Sequence, residues 1–197
     1  MNIFDVNGTI TFHNKSIQDK EEQFLRNFPR PFVLITGVDY LTIRRKIKTL
    51  FNNNTVYTLS GNEKWVNGLF ISKRIVNFED AIVEKIMNRF KCRVNYKHQC
   101  RLEIPVKFYG GEGYDICDYV EETFPQLNAC ISTNKKAVVI HRKEYDKSQI
   151  LCEYDNPIYV TDTIDKYSFD YHISQQVKTI HIKSPEELPT ILPEAIL

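Results

Sequence analysis

Phe32-Val33-Leu34-Ile35 is an unbroken apolar run that stops at Thr36-Gly37. A strand that is apolar on every residue leaves no face for water, so both its faces must be covered. That is the condition of a strand inside a parallel α/β sheet. Other segments share the form. Residues 2–5 make a short strand ending at Asp5, and Pro157-Ile158-Tyr159-Val160 ends at Thr161-Asp162. Val56–Leu59 is a third early strand, closed by Ser60-Gly61-Asn62, and Thr179–Ile182 is a last one. Helical spacing lies between them: Ile17, Phe24, Leu25 and Phe28 over 16–28, then Leu41, Ile43, Ile47, Leu50 and Phe51 over 41–51. Pro29 and Pro31 stop the first helix, Tyr145–Cys152 reads as a short one, and Pro185, Pro189 and Pro193 are expected to break up the tail. The fold class is therefore α/β, with a parallel core built from 1–62 and 145–197.

The stretch between, 63–144, has another character. Glu63–Val76 reads as a hairpin turning at Asn67-Gly68, and Phe78–Phe90 as a helix. Leu102–Tyr109 reads as a strand that Pro105 confines to an edge or bulge. A Gly110-Gly111-Glu112-Gly113 loop, a helix over 114–124 and a second hairpin across Asn134-Lys135 complete an antiparallel α+β insert.

Composition excludes several classes. With 26 Lys+Arg against 25 Asp+Glu the net charge is +1, which gives no support for nucleic-acid binding. No apolar run approaches the ~20 residues of a membrane span. No basic region followed by an apolar one opens the chain, so no signal peptide is expected. The five cysteines form no Cys-x-x-Cys pair and no two histidines share a metal-ligand spacing, so zinc is not expected. The thiols fit a reducing, cytoplasmic setting.

The strand ends carry the chemistry. Asp5 stands at the C-terminal end of its strand, where open α/β sheets place ligands, and a carboxylate fixed there can attack phosphorus. Gly8 lets the following turn close tightly, with N–H groups able to face an anion. The Thr36 hydroxyl can donate to a phosphate oxygen. Asp162 is a hard oxygen ligand suited to Mg²⁺.

Together these segments resemble the four motifs of the haloacid dehalogenase (HAD) phosphatases. Asp5-Val6-Asn7-Gly8-Thr9 is similar to motif I, Asp-x-Asp-Gly-Thr, with Asn7 in place of the second aspartate. Thr36-Gly37 resembles motif II of the branch with a large second-type cap, and Val38 stands where an arginine often follows. Asp146-Lys147 before Ile150-Leu151 looks like motif III. The run from Ile158 to Asp165 looks like motif IV, with Thr161 for the usual glycine and Lys166 where an aspartate is often found.

The resemblance implies a Rossmann-like HAD core over 1–62 and 145–197 and a C2-type cap over 63–144. The cap looks like a shortened C2B cap of the phosphomannomutase and sugar-phosphatase branch, with the Gly110–Gly113 loop, Lys107 and Tyr109 facing substrate. It implies that Lys147 neutralises nucleophile and phosphate, and that Gly8, Thr36, Gly37 and Lys147 hold the phosphate. Mg²⁺ would be held by Asp5, the Asn7 backbone carbonyl, Asp162 and Asp165. The implied activity is hydrolysis of a small phosphate monoester, a sugar phosphate or related metabolite, through an aspartyl-phosphate.

Asn7 bears on that activity. In the family the aspartate at this position protonates the leaving oxygen and then activates water; a carboxamide does neither, and losing such help typically costs ~10²–10⁴-fold. Three explanations compete: an exchange that traps a substrate complex, an enzyme whose leaving group needs no proton or that borrows an acid such as His13 or Asp39, and a protein that binds phosphorylated ligands without turnover.

Overall fold

A computed structural model describes residues 1–13, 15–97, 101–106, 113–132 and 136–196. In chain order the elements are β1 (Asn2–Asp5), α1 (Asp19–Arg26), β2 (Phe32–Ile35), α2 (Tyr40–Lys46), α3 (Lys48–Asn53), β3 (Thr55–Thr58), β4 (Glu63–Val66) and β5 (Leu69–Lys73). Then come α4 (Asp80–Phe90), β6 (Asn95–Lys97), β7 (Arg101–Pro105), α5 (Tyr114–Thr123), β8 (Leu127–Ile131) and β9 (Ala137–Arg142). The chain closes with β10 (Ile158–Thr161), α6 (Tyr171–Ser174), β11 (Lys178–His181) and α7 (Leu188–Ile196). Contacts divide it into two units: Met1–Lys73 with Lys147–Ile164 and Asp170–Leu197, and Arg74–Asp146 with Asp165–Phe169.

The first unit holds a seven-stranded sheet in the order β11-β10-β1-β2-β3-β4-β5. The first five of these run parallel, and β4 and β5 are antiparallel. Strand alternation sorts the apolar residues onto two faces. Phe4, Leu34, Val56, Val160 and Ile180 face one side, under Leu25, Ile43, Ile47, Phe51, Leu188 and Leu192 of the helices. Ile3, Val33, Ile35, Tyr57 and Tyr159 face the other, against Ile150 and Ile173. Both faces are covered, as the continuous apolar strands require. Phe4 anchors the first layer, edge-on to Phe28 and Phe32 at 5.6 and 5.5 Å between ring centroids.

The second unit has its own antiparallel sheet, β6-β7-β9-β8. α5 lies against β8 and β9 and buries Ile116, Cys117 and Val120. Phe90 of α4 meets Tyr119 of α5 edge-on at 5.2 Å. The 165–169 segment docks on α5 through Lys166 Nζ, which donates to Asp118 Oδ1 at 2.6 Å, and through the Tyr167 ring, tilted against Tyr114 at 4.8 Å between centroids.

Several expectations change. The hairpin at 63–73 turns at Asn67-Gly68 with both residues at positive φ, 50° and 77°. It does not belong with the insert: β4 pairs with β3, Tyr57 opposite Lys64, and extends the core sheet. The 41–51 helix is two helices, because Ile47 leaves helical geometry at φ −130°, ψ 38°. The tail is not broken up by its prolines. Pro189 falls in the first turn of α7, where an N–H has no intrahelical partner to lose, and buried Leu188 and Leu192 hold the helix on the core. Pro105 is the last residue of β7, beyond the 101–103 stretch that β6 covers, so its missing N–H interrupts no ladder on that side. Lys107, Tyr109, Gly110–Glu112 and the Asn134-Lys135 turn lie outside the described residues. No helix among the described residues is long and apolar enough to cross a membrane.

Candidate active site

The parallel strands end side by side, so the residues just past β1, β2 and β10 meet at one edge of the first unit. Asp5 ends β1 and is almost fully buried. Lys147, buried at the start of the 3₁₀ segment Lys147–Glu153, donates to Asp5 Oδ1 at 2.5 Å and to Asp170 Oδ1. The Tyr159 hydroxyl, on β10, also donates to Asp170. The Thr9 hydroxyl links two of the carboxylates, 3.4 Å from Asp5 Oδ2 and 3.2 Å from Asp162 Oδ1, and accepts from the Asp162 N–H at 3.0 Å. His13 Nε2 stands 3.4 Å from Asp162 Oδ2, and the His181 ring reaches the Asp162 carbonyl at 2.9 Å.

Gly8 has a spatial role. Its φ of +99° suits glycine, and a Cβ there would lie 2.1 Å from Asp162 Oδ2. Its N–H donates to the Thr11 carbonyl at 2.6 Å, so this donor is not offered to an anion as the sequence suggested. What Gly8 supplies is room for the Asp162 carboxylate beside Asp5.

Asp5, Asp162 and Asp170 bring one carboxylate oxygen each to within 4.8 Å of one another. One buried ammonium faces them, which leaves negative charge uncompensated away from water. The consequence shows at Asp5, whose pKa is pushed from 3.8 up to about 7, first by burial and then by Asp170 and Asp162, against the opposing pull of Lys147. Asp162 is raised for the same reasons, burial first and Asp170 next. For Lys147, burial disfavours the charge, yet Asp170 and Asp5 together lift its pKa above the usual lysine range. A crowded, all-oxygen set with excess negative charge fits a hard divalent cation such as Mg²⁺.

Asp165 does not join this group. It belongs to the second unit, is exposed, and accepts from the Tyr167 N–H at 3.0 Å. The chain turns out at 165–169, where the Ser168 N–H bonds the Asp165 carbonyl, and comes back at Asp170. Asp170, not Asp165, is the third carboxylate that lies with Asp5 and Asp162.

Thr36, fully buried past β2, accepts through Oγ1 from Asn7 Nδ2 at 2.9 Å and from the Val38 N–H at 3.3 Å. Both are acceptor roles, so its own O–H is left as a donor for a ligand. Gly37 follows it directly. Asn7 is held at both ends, its Oδ1 accepting from Lys46 Nζ at 2.7 Å. Lys46, in the last turn of α2, is half-buried, and its pKa is lowered by burial despite the nearby Asp5 charge. Beside Thr36, Ser60 donates its N–H to the Thr36 carbonyl at 2.9 Å. Leu59 and Ser60 both sit at positive φ, 51° and 59°, and the buried Ser60 Oγ has no partner among the described residues. Strain and an unmet hydroxyl in one loop are common at ligand sites.

Asp170, Lys46 and Ser60 were not read from the sequence. A lysine in the last turn of a helix is ordinary, and no spacing links Asp170 to Asp162. Asp39 caps α2 through Thr42.

No protein-family model and no curated protein sequence matches the chain. Solved structures do. The IMP-bound IMP-nucleotidase of Plasmodium falciparum superposes with a TM-score of 0.68 at 12% identity, over 98% of this chain and 66% of that one. The chain thus spans just under two thirds of that protein's length. A protein of Streptococcus mutans UA159 gives 0.69 at 13% identity over 100% of this chain and 98% of that one. A Bacteroides thetaiotaomicron protein, described among phosphatases of the haloalkanoate (HAD) enzyme superfamily, gives 0.62 at 14%, over 82% and 76%. The chain therefore has the fold of the HAD phosphatases, a Rossmann-like parallel core with an inserted α+β unit.

Proposed function

We propose that this protein is a Mg²⁺-dependent phosphatase of the HAD type, acting on a small phosphorylated metabolite. The observation that carries the reading is the convergence of Asp5, Asp162 and Asp170, from three separate chain segments, beside one buried lysine, with Gly8 leaving room for the Asp162 carboxylate. Asp5, Asp162 and Asp170 offer the oxygens that would hold Mg²⁺, with the Asn7 carbonyl added by the family resemblance. The ion would neutralise negative charge on the phosphate and its transition state. Asp5 attacks phosphorus and forms an aspartyl-phosphate. Lys147 balances the charge that collects between Asp5 and Asp170, and the Thr36 hydroxyl orients the phosphoryl oxygens. The second unit, 74–146 with 165–169, corresponds in this reading to the C2B-like cap, and the free Cys92, Cys117 and Cys152 suit a cytoplasmic setting. The sugar-phosphate expectation rests on the cap resemblance.

One observation favours a second reading. The Asn7 amide is held between Thr36 and Lys46 and cannot act as a general acid or base, as in a module that binds phosphorylated ligands without turnover. Assays with p-nitrophenyl phosphate and a panel of sugar phosphates, with Mg²⁺, separate the two. The phosphatase reading expects turnover by the unaltered chain, none by Asp5→Asn, and more by Asn7→Asp, by up to ~10²–10⁴-fold. Turnover by Asn7→Asp alone supports the binding module; turnover by neither overturns the phosphatase.

A further inference from the structure

We infer that Lys46 receives the leaving oxygen as an anion, and that it restricts the site to phosphates whose leaving oxygen is stable unprotonated: acyl phosphates, phosphoanhydrides and aryl phosphates. This rests on the phosphatase reading and narrows its substrate class.

Thr36, Asn7 and Lys46 form a hydrogen-bonded chain. Asn7 Nδ2 donates to Thr36 Oγ1 at 2.9 Å, and Lys46 Nζ donates to Asn7 Oδ1 at 2.7 Å. The ammonium is thus one amide away from the hydroxyl that orients the phosphate. The site's two lysines are placed differently. Lys147 is buried and committed to Asp5 and Asp170. Lys46 is half-buried on a neutral amide, with no carboxylate within ion-pair distance among the described residues. Removing a cation from water against a neutral partner is unfavourable unless an anion completes the arrangement. Asp5 acts on Lys46 only from beyond ion-pair distance and does not offset its burial, so the anion that completes the arrangement arrives with the substrate.

The chemistry follows from the two side chains. One Asp5 oxygen bonds to phosphorus as the bond from phosphorus to the leaving oxygen breaks. The electron pair of that bond stays on the leaving oxygen, which departs against the Lys46 ammonium, and no proton moves. Water oxygen then bonds to phosphorus, the Asp5 oxygen takes back its pair, and the water protons end on the released phosphate and in solvent. An alkoxide, about as basic as hydroxide, is poorly served by charge alone. A carboxylate, phosphate or phenolate is well served.

The test is a leaving-group series on the unaltered chain with Mg²⁺: acetyl phosphate, p-nitrophenyl phosphate, phenyl phosphate and glucose 6-phosphate. Turnover is expected to fall at least ~100-fold from the first two to the last, the scale of missing acid catalysis. Lys46→Met should lower kcat on p-nitrophenyl phosphate about tenfold or more, Lys46→Arg should keep most of it, and Asn7→Asp should flatten the series by raising the alkyl ester. Equal turnover of alkyl and aryl esters by the unaltered chain overturns the inference and leaves the phosphatase standing. So does an unchanged kcat in Lys46→Met. No turnover of any member overturns both. The series needs no variant to fold and reads the missing acid at Asn7; the contrast between Lys46→Met and Lys46→Arg isolates the lysine's charge, which a merely structural role would not make decisive.

Discussion

Asp5→Asn should make the metal-free protein more stable at neutral pH. The carboxyl of Asp5 titrates near 7 in the folded chain against 3.8 ordinarily. The sign follows from proton uptake. Below 3.8 both folded and unfolded chains hold the proton, and Asp5 has no effect. Between 3.8 and about 7 the unfolded chain releases it while the folded chain keeps it, so stability falls as pH rises. Above 7 the full cost is present, about 4 kcal/mol at about 1.4 kcal/mol per tenfold step. The neutral amide escapes it and can still turn its oxygen toward Lys147. The advantage of Asp5→Asn should be about 1 kcal/mol at pH 4.5 and about 4 kcal/mol at pH 7.5. For a chain of this size that is on the order of 10 °C in Tm at the higher pH. Thermal or urea unfolding in EDTA at the two pH values measures it. Mg²⁺ should then raise the Tm of the unaltered chain and leave the variant nearly unmoved. A variant no more stable than its parent at pH 7.5, or an advantage that does not shrink on acidification, would refute the crowded-carboxylate argument.

Three further outcomes are expected. Calorimetric titration with Mg²⁺ should show Asp170→Asn weakened about tenfold or more and Asp165→Asn unchanged; the reverse would restore Asp165 as the ligand. Gly8→Ala, whose Cβ would meet the Asp162 carboxylate, should weaken Mg²⁺ about as much while the far-UV circular dichroism stays that of the parent. Phe4→Ala should cost about 3–5 kcal/mol in urea unfolding, because the Phe4 ring is fully enclosed by Phe28, Phe32 and the helix layer; a loss under 1 kcal/mol would contradict that packing.

What the sequence revealed follows the physics of strand ends. Asp5, Thr36 and Asp162 were readable because each closes an apolar strand, and parallel strands deliver their ends to one edge. Lys147 was readable only through its likeness to a family motif, since nothing local separates it from a surface lysine. Asp170 was hidden because the chain leaves the first unit at 165–169 before returning it to Lys147. Lys46 was hidden because only the fold brings a helix end to Asn7. The 63–73 hairpin was recognised as a hairpin, from Asn67-Gly68, but its membership in the core sheet depends on pairing between Tyr57 and Lys64, which no local pattern records. The α7 helix was missed because prolines were read as breaks, where burial of Leu188 and Leu192 outweighs one absent hydrogen bond.

The most direct test of the account is to quench the unaltered protein in acid during turnover of acetyl phosphate with Mg²⁺, treat it with hydroxylamine, and map the product by peptide mass spectrometry. An aspartyl-phosphate predicts a hydroxamate on the N-terminal peptide at residue 5, absent from Asp5→Asn. Turnover with no label at residue 5, or with the label at another carboxylate, contradicts the claim that this strand end carries the nucleophile.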